Sequence, residues 1–275
     1  MSAYTESQQI WDELGRIAPD WKTDTQRASI HKLNFAVTRR QFATIAIAAC
    51  AAMASVGVGW LLHAPTYKTA VGEQKLARLA DGTRIILNTD TVFKVRYSRG
   101  ERRIEMVQGE ALFDVAHDPD RPFIVAAAQE YIRAVGTSFV VRRDNERVEV
   151  TLLSGVVDVT RKDNGLDKVS LSPGQRFRRA DNQSVELDRP RLEVVTAWRN
   201  GQLILDETPL RAAIAEMNRY STKDIHLDTQ AVDGTRLSGV FRVDETRRFA
   251  ETVAGIHGLT FTETESGMNL SDNPG

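Results

Sequence analysis

The sequence predicts a multidomain membrane protein in four parts: a short helical cytoplasmic tail, one transmembrane helix, an all-β domain and a C-terminal α/β unit of order β-α-β-β-α-β. Three observations predict it. Residues 42–62, FATIAIAACAAMASVGVGWLL, carry no charge. From Tyr67 to about Arg179 apolar residues recur at every second position between turn signals, the period of half-buried strands. After Pro190 helical and strand periods alternate.

In the tail, residues 1–41, Ile10, Leu14, Ile17 and Trp21 recur at helical spacing with Trp11 beside the stripe. Pro19 ends a first helix near Ile17, and a second runs from about Thr25 to Phe35. So short a segment buries two tryptophans and several aliphatics poorly by itself. Ile10, Trp11, Leu14, Ile17 and Trp21 are therefore candidates for docking a cytoplasmic protein. A self-packed helical pair that serves export alone is the plainer alternative.

As a helix, residues 42–62 are roughly 31 Å long at about 1.5 Å per residue, enough for a hydrocarbon core of about 30 Å. Arg27, Lys32, Arg39 and Arg40 crowd its N-terminal side, so the positive-inside rule places residues 1–41 in the cytoplasm and the bulk of the chain outside. Thr38-Arg39-Arg40-Gln41-Phe42 also has the form of a twin-arginine export signal, with Arg39 and Arg40 its core. The apolar run continues through Val56, Val58, Trp60 and Leu62, which favours a retained span over a cleaved signal peptide or a lipid anchor on Cys50. The expected location is the inner membrane, single-pass, with a periplasmic C-terminal bulk.

The chain of 275 residues balances 36 basic against 37 acidic residues, so no overall basic field points to nucleic acid. Its one cysteine lies in the uncharged run, which leaves the exported part without disulfide or thiol chemistry. No Gly-x-Ser-x-Gly, His-Glu-x-x-His or Walker loop occurs, and the five histidines are scattered; the chain does not read as an enzyme, and no cofactor or metal is expected.

The all-β domain, residues 67–180, alternates most clearly at Phe93, Val95 and Tyr97, at Ala111, Phe113 and Val115, and at Val148, Val150 and Leu152. Asp81-Gly82, Ser98-Arg99-Gly100, Arg143-Asp144-Asn145-Glu146, Asp163-Asn164-Gly165 and Ser172-Pro173-Gly174 stand between such runs as turns. Periodicity does not separate a sandwich from a barrel or a solenoid. Asp114, His117, Asp118, Asp120 and Arg121 include metal-ligand types, but the prolines at 119 and 122 mark an ordinary loop.

In the C-terminal unit, residues 190–275, Thr208 is expected to cap a helix whose first position is Pro209 and whose buried stripe is Leu210, Ala213, Ile214 and Met217. Strands follow near Ile225–Leu227 and Leu237–Phe241. A second helix after Asp244 turns Phe249, Val253 and Ile256 inward and stops at Gly258, and closing strands follow. The edge strands of such a mixed sheet can accept a partner's strand.

LADGTRIILNTDTVFKVRY, ERRIEMVQGEALFDVAHDPDRPFIV, IRAVGTSFVVR, VEVTLLSGVVDV and LSPGQRFR, in this order, resemble the exported domain of the FecR family of transmembrane anti-sigma regulators. The segment after Pro190 resembles the short N-terminal domain of secretins and TonB-dependent receptors. The resemblance implies an inner-membrane anti-sigma factor that relays a signal from a TonB-dependent outer-membrane transducer to an extracytoplasmic-function sigma factor through regulated proteolysis. Its implied partners are that sigma factor, the receptor's signalling domain, and periplasmic and intramembrane proteases, with iron uptake the common theme. A membrane-tethered or exported binding module without sigma control is the alternative.

Gly136-Thr137 is the one candidate for chemistry. A hydroxyl on the residue after a peptide bond can attack the preceding carbonyl where the backbone is strained, converting amide to ester, and glycine best tolerates that geometry. Some relatives in the resembled family cleave themselves at the matching Gly-Thr. The plainer reading makes Gly136 a bulge and Thr137 a strand residue.

Overall fold

The computed structural model describes residues 64–162, 167–180 and 183–273. This part is mostly β, with three short α-helices, and corrects the predicted fold class. No described helix is long and apolar enough to cross a membrane. The longest, Thr246–His257, has 12 residues and buries Phe249, Ala250 and Val253 while exposing Arg247, Arg248 and Glu251, as a helix against a protein core does. The expected helical tail and the run 42–62 lie outside the described residues.

Thirteen strands fill the first part: β1 (Thr66–Lys68), β2 (Lys75–Arg78), β3 (Arg84–Leu87), β4 (Val92–Tyr97), β5 (Arg102–Asp114), β6 (Phe123–Ala127), β7 (Glu130–Ala134), β8 (Ser138–Asp144), β9 (Arg147–Ser154), β10 (Val157–Arg161), β11 (Lys168–Leu171), β12 (Arg176–Ala180) and β13 (Glu186–Asp188). They form one sheet folded on itself along β5. The N-terminal half of β5 pairs with β4 and, in parallel, with β6. Its C-terminal half pairs with β3 and β8. The change of partners falls at Gly109, where φ is +91°.

The two layers so created close on a common core. Phe93, Ile104, Phe123 and Ile132 point into it from one side, and Ile85, Phe113, Phe139 and Phe177 from the other. Phe113 meets Phe123 across the core at 6.0 Å between ring centroids and stacks on Phe139 at 5.3 Å. Each such ring contributes about 1.5–3 kcal/mol by leaving water. Without disulfides, this packing carries the domain.

Two short links carry the chain between the layers. Residues 135–137 lead from β7 to β8, and Gly155-Val156 lead back from β9 to β10. The links lie side by side, because Ala134 pairs with Val157 and Ser138 with Ser154.

The C-terminal unit begins with α1 (Leu192–Thr196) and a 3-10 turn (Ala197–Asn200). There follow β14 (Gln202–Pro209), α2 (Leu210–Asn218), β15 (Asp224–Asp228), β16 (Arg236–Arg242), α3 (Thr246–His257), β17 (Thr260–Glu263) and β18 (Gly267–Ser271). The order is β-α-β-β-α-β-β, and the strands divide into two sheets, β14-β16 and β15-β18-β17. This corrects the single mixed sheet read from the sequence. The parallel pairing of β15 with β18 takes β15 away from β16, its neighbour in sequence. Thr208 lies in β14 and makes no helix cap; its hydroxyl accepts from the Asp206 amide. Ile256 is exposed, whereas Gly258 ends α3 in the left-handed conformation.

Candidate functional site: the crossover at Gly136-Thr137

Gly136 holds φ at +63°, in the left-handed region that glycine occupies without a Cβ penalty. It turns the chain out of β7 so that Thr137 can enter the second layer. The carbonyl of Thr137 accepts from the Val115 amide at 3.0 Å. Its side chain is 3% exposed, and Oγ1 has no hydrogen-bond partner among the described residues. A buried hydroxyl left unpaired loses its hydration without replacement, a cost of about 1–3 kcal/mol. The neighbouring link holds it there: a Cβ on Gly155 would lie 2.6 Å from Thr137 Cγ2.

On its other side the turn meets the loop between β5 and β6. A Cβ on Gly136 would stand 2.5 Å from His117 Nδ1. That loop is fixed from beneath by Arg102, which is fully buried. Arg102 donates from Nη1 to Asp81 Oδ2 at 2.7 Å and to the Ala116 carbonyl at 2.9 Å, and from Nε to the Arg121 carbonyl at 2.9 Å. Asp81, 4% exposed at its side chain, also accepts from the hydroxyls of Thr83 at 2.7 Å and Tyr97 at 3.0 Å. Burial pushes the Asp81 carboxyl up, but the hydrogen bonds from Thr83, Arg102 and Tyr97 prevail and hold it below its ordinary value. Burial, reinforced by the Asp81 charge, raises the Tyr97 phenol above the usual range.

Of the residues singled out in the sequence, Gly136, Thr137 and His117 come together. The acids of the loop do not join them: Asp118 pairs with Arg121 at 2.8 Å and Asp114 with Arg84. Ile10, Trp11, Leu14, Ile17, Trp21, Arg39 and Arg40 lie outside the described residues. Sequence reasoning missed Arg102 and Asp81. The signal was available for Arg102, which shares the inward parity of Ile104 and Met106 in β5.

A second feature joins the C-terminal unit to the β layers. Trp198, Tyr220 and Val243 pack on Leu112 and Val140 of the outer face. Around them Asn88 donates to Glu110 at 2.9 Å and to the Tyr220 hydroxyl at 2.8 Å, Arg219 donates to Glu110 at 2.8 Å, and Arg142 to Glu216 at 2.8 Å. Arg219 also pairs with Glu216. Burial alone would raise the Glu216 carboxyl, but the guanidiniums of Arg219 and Arg142 hold it below its ordinary value. A depressed carboxylate stabilises the fold above its unfolded value of about 4.3 and loses that contribution as pH falls through the folded value. Glu216→Gln is therefore expected to cost about 1–3 kcal/mol at pH 7. It should also flatten part of the fall in unfolding midpoint below pH 4; both follow from denaturant titrations across pH. Beside this contact, a groove of about 530 Å³ runs between β14 and a face carrying Arg142, Glu149, Arg176 and Arg178.

Residues 65–158 match the family model described as FecR protein. Two crystal structures of a candidate anti-sigma factor from Parabacteroides distasonis ATCC 8503, at 2.50 and 1.65 Å resolution, are similar to this chain. Each is 26% identical with a TM-score of 0.66; the first match covers 77% of this chain and 100% of that one, the second 76% and 99%. Curated proteins give no match. With its family model spanning β1 to the start of β10 and the Gly136-Thr137 crossover within it, the β part of this chain carries a FecR-family domain over residues 65–158.

Proposed function

We propose that this protein is an anti-sigma regulator. The observation that carries the reading is the FecR-family domain joined to a C-terminal unit in an arrangement shared with the candidate anti-sigma factor over the whole of its crystallised chain. In the finer form of the proposal, residues 1–41 hold an extracytoplasmic-function sigma factor through Ile10, Trp11, Leu14, Ile17 and Trp21. The described residues face the periplasm from the inner membrane, and the C-terminal unit meets the signalling domain of a TonB-dependent receptor. Strand β14 is bonded along one edge, to β16, and its groove-facing side suits an added strand. Regulated proteolysis then changes sigma activity. Co-purification of a small sigma factor with the full chain, weakened by Trp11→Ala and Trp21→Ala, is the expected result; a chain that retains no sigma factor from its own cells overturns the reading.

The proposal includes a single-turnover self-cleavage between Gly136 and Thr137. The left-handed glycine and the buried, unpartnered Thr137 hydroxyl support it. Cleavage would leave the fragments associated, because β5 stays paired with β8 and β7 with β10 across the cut. Denaturing gels of the wild type should show fragments 1–136 and 137–275. Thr137→Val should give one band and a fold as stable or more so by about 0–1 kcal/mol, since it replaces an unsatisfied hydroxyl by a methyl of the same shape. A wild-type chain that stays whole excludes self-cleavage.

A further inference from the structure

We infer that His117 is the proton-transfer group of the Gly136-Thr137 cleavage, an inference that rests on the self-cleavage reading. The crossover leaves few groups able to move a proton. Asp114 and Asp118 are tied to Arg84 and Arg121, and Glu130 of the adjoining β7 to Arg179 at 2.9 Å. The His117 ring has no hydrogen-bond or ion-pair partner among the described residues and lies against Gly136, so close that a methyl there would sit 2.5 Å from Nδ1 and 3.2 Å from Cγ. Gly136 thus serves two ends. It bends the backbone, and by lacking a side chain it admits the imidazole beside the peptide that would break.

The position of the ring is fixed by the fold. Arg102 anchors the Ala116 carbonyl immediately before His117 and reaches the Asp118 carbonyl immediately after it, at 2.9 and 3.4 Å. The Thr83 hydroxyl accepts from the Ala116 amide at 3.2 Å. A buried guanidinium therefore holds both flanks of an exposed histidine, while the histidine itself stays free of the network.

The reaction balances without a further group. In the resting structure the Thr137 hydroxyl has no hydrogen-bond partner among the described residues, so the ring is not yet bonded to it. When Oγ1 attacks the Gly136 carbonyl carbon its proton passes to the imidazole directly or through one water, the C–N bond breaks, and the imidazolium returns that proton to the Thr137 nitrogen, which becomes an amine. The product is an ester between the Gly136 acyl group and Thr137 Oγ1. Water then hydrolyses it, leaving a carboxylate on Gly136 and restoring the threonine hydroxyl. Imidazole suits both transfers because its ring carries two nitrogens, one able to accept a proton while the other holds one.

The test follows fragment appearance in the full chain made by cell-free synthesis, for the wild type, Thr137→Val, His117→Ala and His117→Gln. Removing a general base typically slows a step by about 10²–10⁴-fold. Both histidine variants should therefore cut at least about 100-fold more slowly while unfolding at the wild-type denaturant concentration, and added imidazole should restore cutting in His117→Ala but not in Thr137→Val. Hydroxylamine, which cleaves esters, should speed fragment release in the wild type. Histidine variants that fold and cut at the wild-type rate overturn the role of His117 and leave self-cleavage standing. A wild type that never cuts, or a Thr137→Val chain that cuts as fast, removes the self-cleavage reading and His117 with it.

Discussion

Asp81→Ala will destabilise the described domain by about 3–5 kcal/mol, the range for removing one partner of a buried ion pair. Its partner Arg102 is 0% exposed and cannot turn to water. The alanine leaves a guanidinium charge inside the protein together with the hydroxyls of Thr83 and Tyr97, both of which now donate to the Asp81 carboxylate. Asp81→Asn should cost less, because the amide oxygen can still accept, but the charge is lost. Replacing both partners by apolar residues, which often rescues a buried pair, should fail here. Arg102 also serves the carbonyls of Ala116 and Arg121, and an apolar replacement would orphan them. Chemical unfolding of the three variants measures this order; a loss under about 1 kcal/mol for Asp81→Ala would show that water enters the site. The pH dependence has a definite sign. The Asp81 carboxyl is held below its ordinary value, so its contribution is complete above about pH 4 and fades as pH falls through the folded value. In Asp81→Asn that acid-side loss should vanish.

The same pair shows where the sequence stops being informative. Alternation makes the strands legible: Val148, Val150 and Leu152 lie in β9 with their side chains buried, and Phe93 and Val95 do the same in β4. Asp81-Gly82 does turn between β2 and β3. Alternation assigns a face to each residue; it does not say which strand lies next to which. The parallel pairing of β5 with β6, the passage of β5 from one layer to the other, and the two adjacent links are long-range facts, and they create the site. Thus Gly136-Thr137, one of three Gly-Thr pairs in the chain, could be read as a candidate from its match to the motif of the resembled family, whereas its contact with His117, nineteen positions before Gly136, could not. Asp81 read as turn chemistry, because nothing local announces that a turn residue will meet a guanidinium 21 positions later. The C-terminal unit failed at the same level. Its helices are near their expected places, but the division of its strands between two sheets depends on β18 inserting between β15 and β17.

Gly109→Ala is the second substitution with a large expected cost, about 2–5 kcal/mol, combining an unfavourable backbone conformation with an overpacked contact. With φ at +91°, position 109 lies where an L side chain is strained whatever the space. There is also no space. A Cβ would lie 2.4 Å from both Cα and Oγ1 of Thr91 and 2.6 Å from the Asp90 carbonyl, so backbone must move, not just the tip of a side chain. Thr91 is poorly placed to yield, since its hydroxyl accepts from the Glu110 amide at 3.0 Å and its amide donates to Thr69 at 2.9 Å. Its neighbour Glu110 carries the ion pair to Arg219, so a shift here should also loosen the C-terminal unit. Gly100→Ala is the control: no atom lies within 4 Å of its would-be Cβ, and its φ is outside the left-handed region, so its effect should stay within about 0.5 kcal/mol. Denaturant unfolding of the two variants side by side decides the matter. Equal stabilities would mean that β5 can pass between the layers without a glycine, and that the fold of the sheet along this strand is set by its neighbours alone.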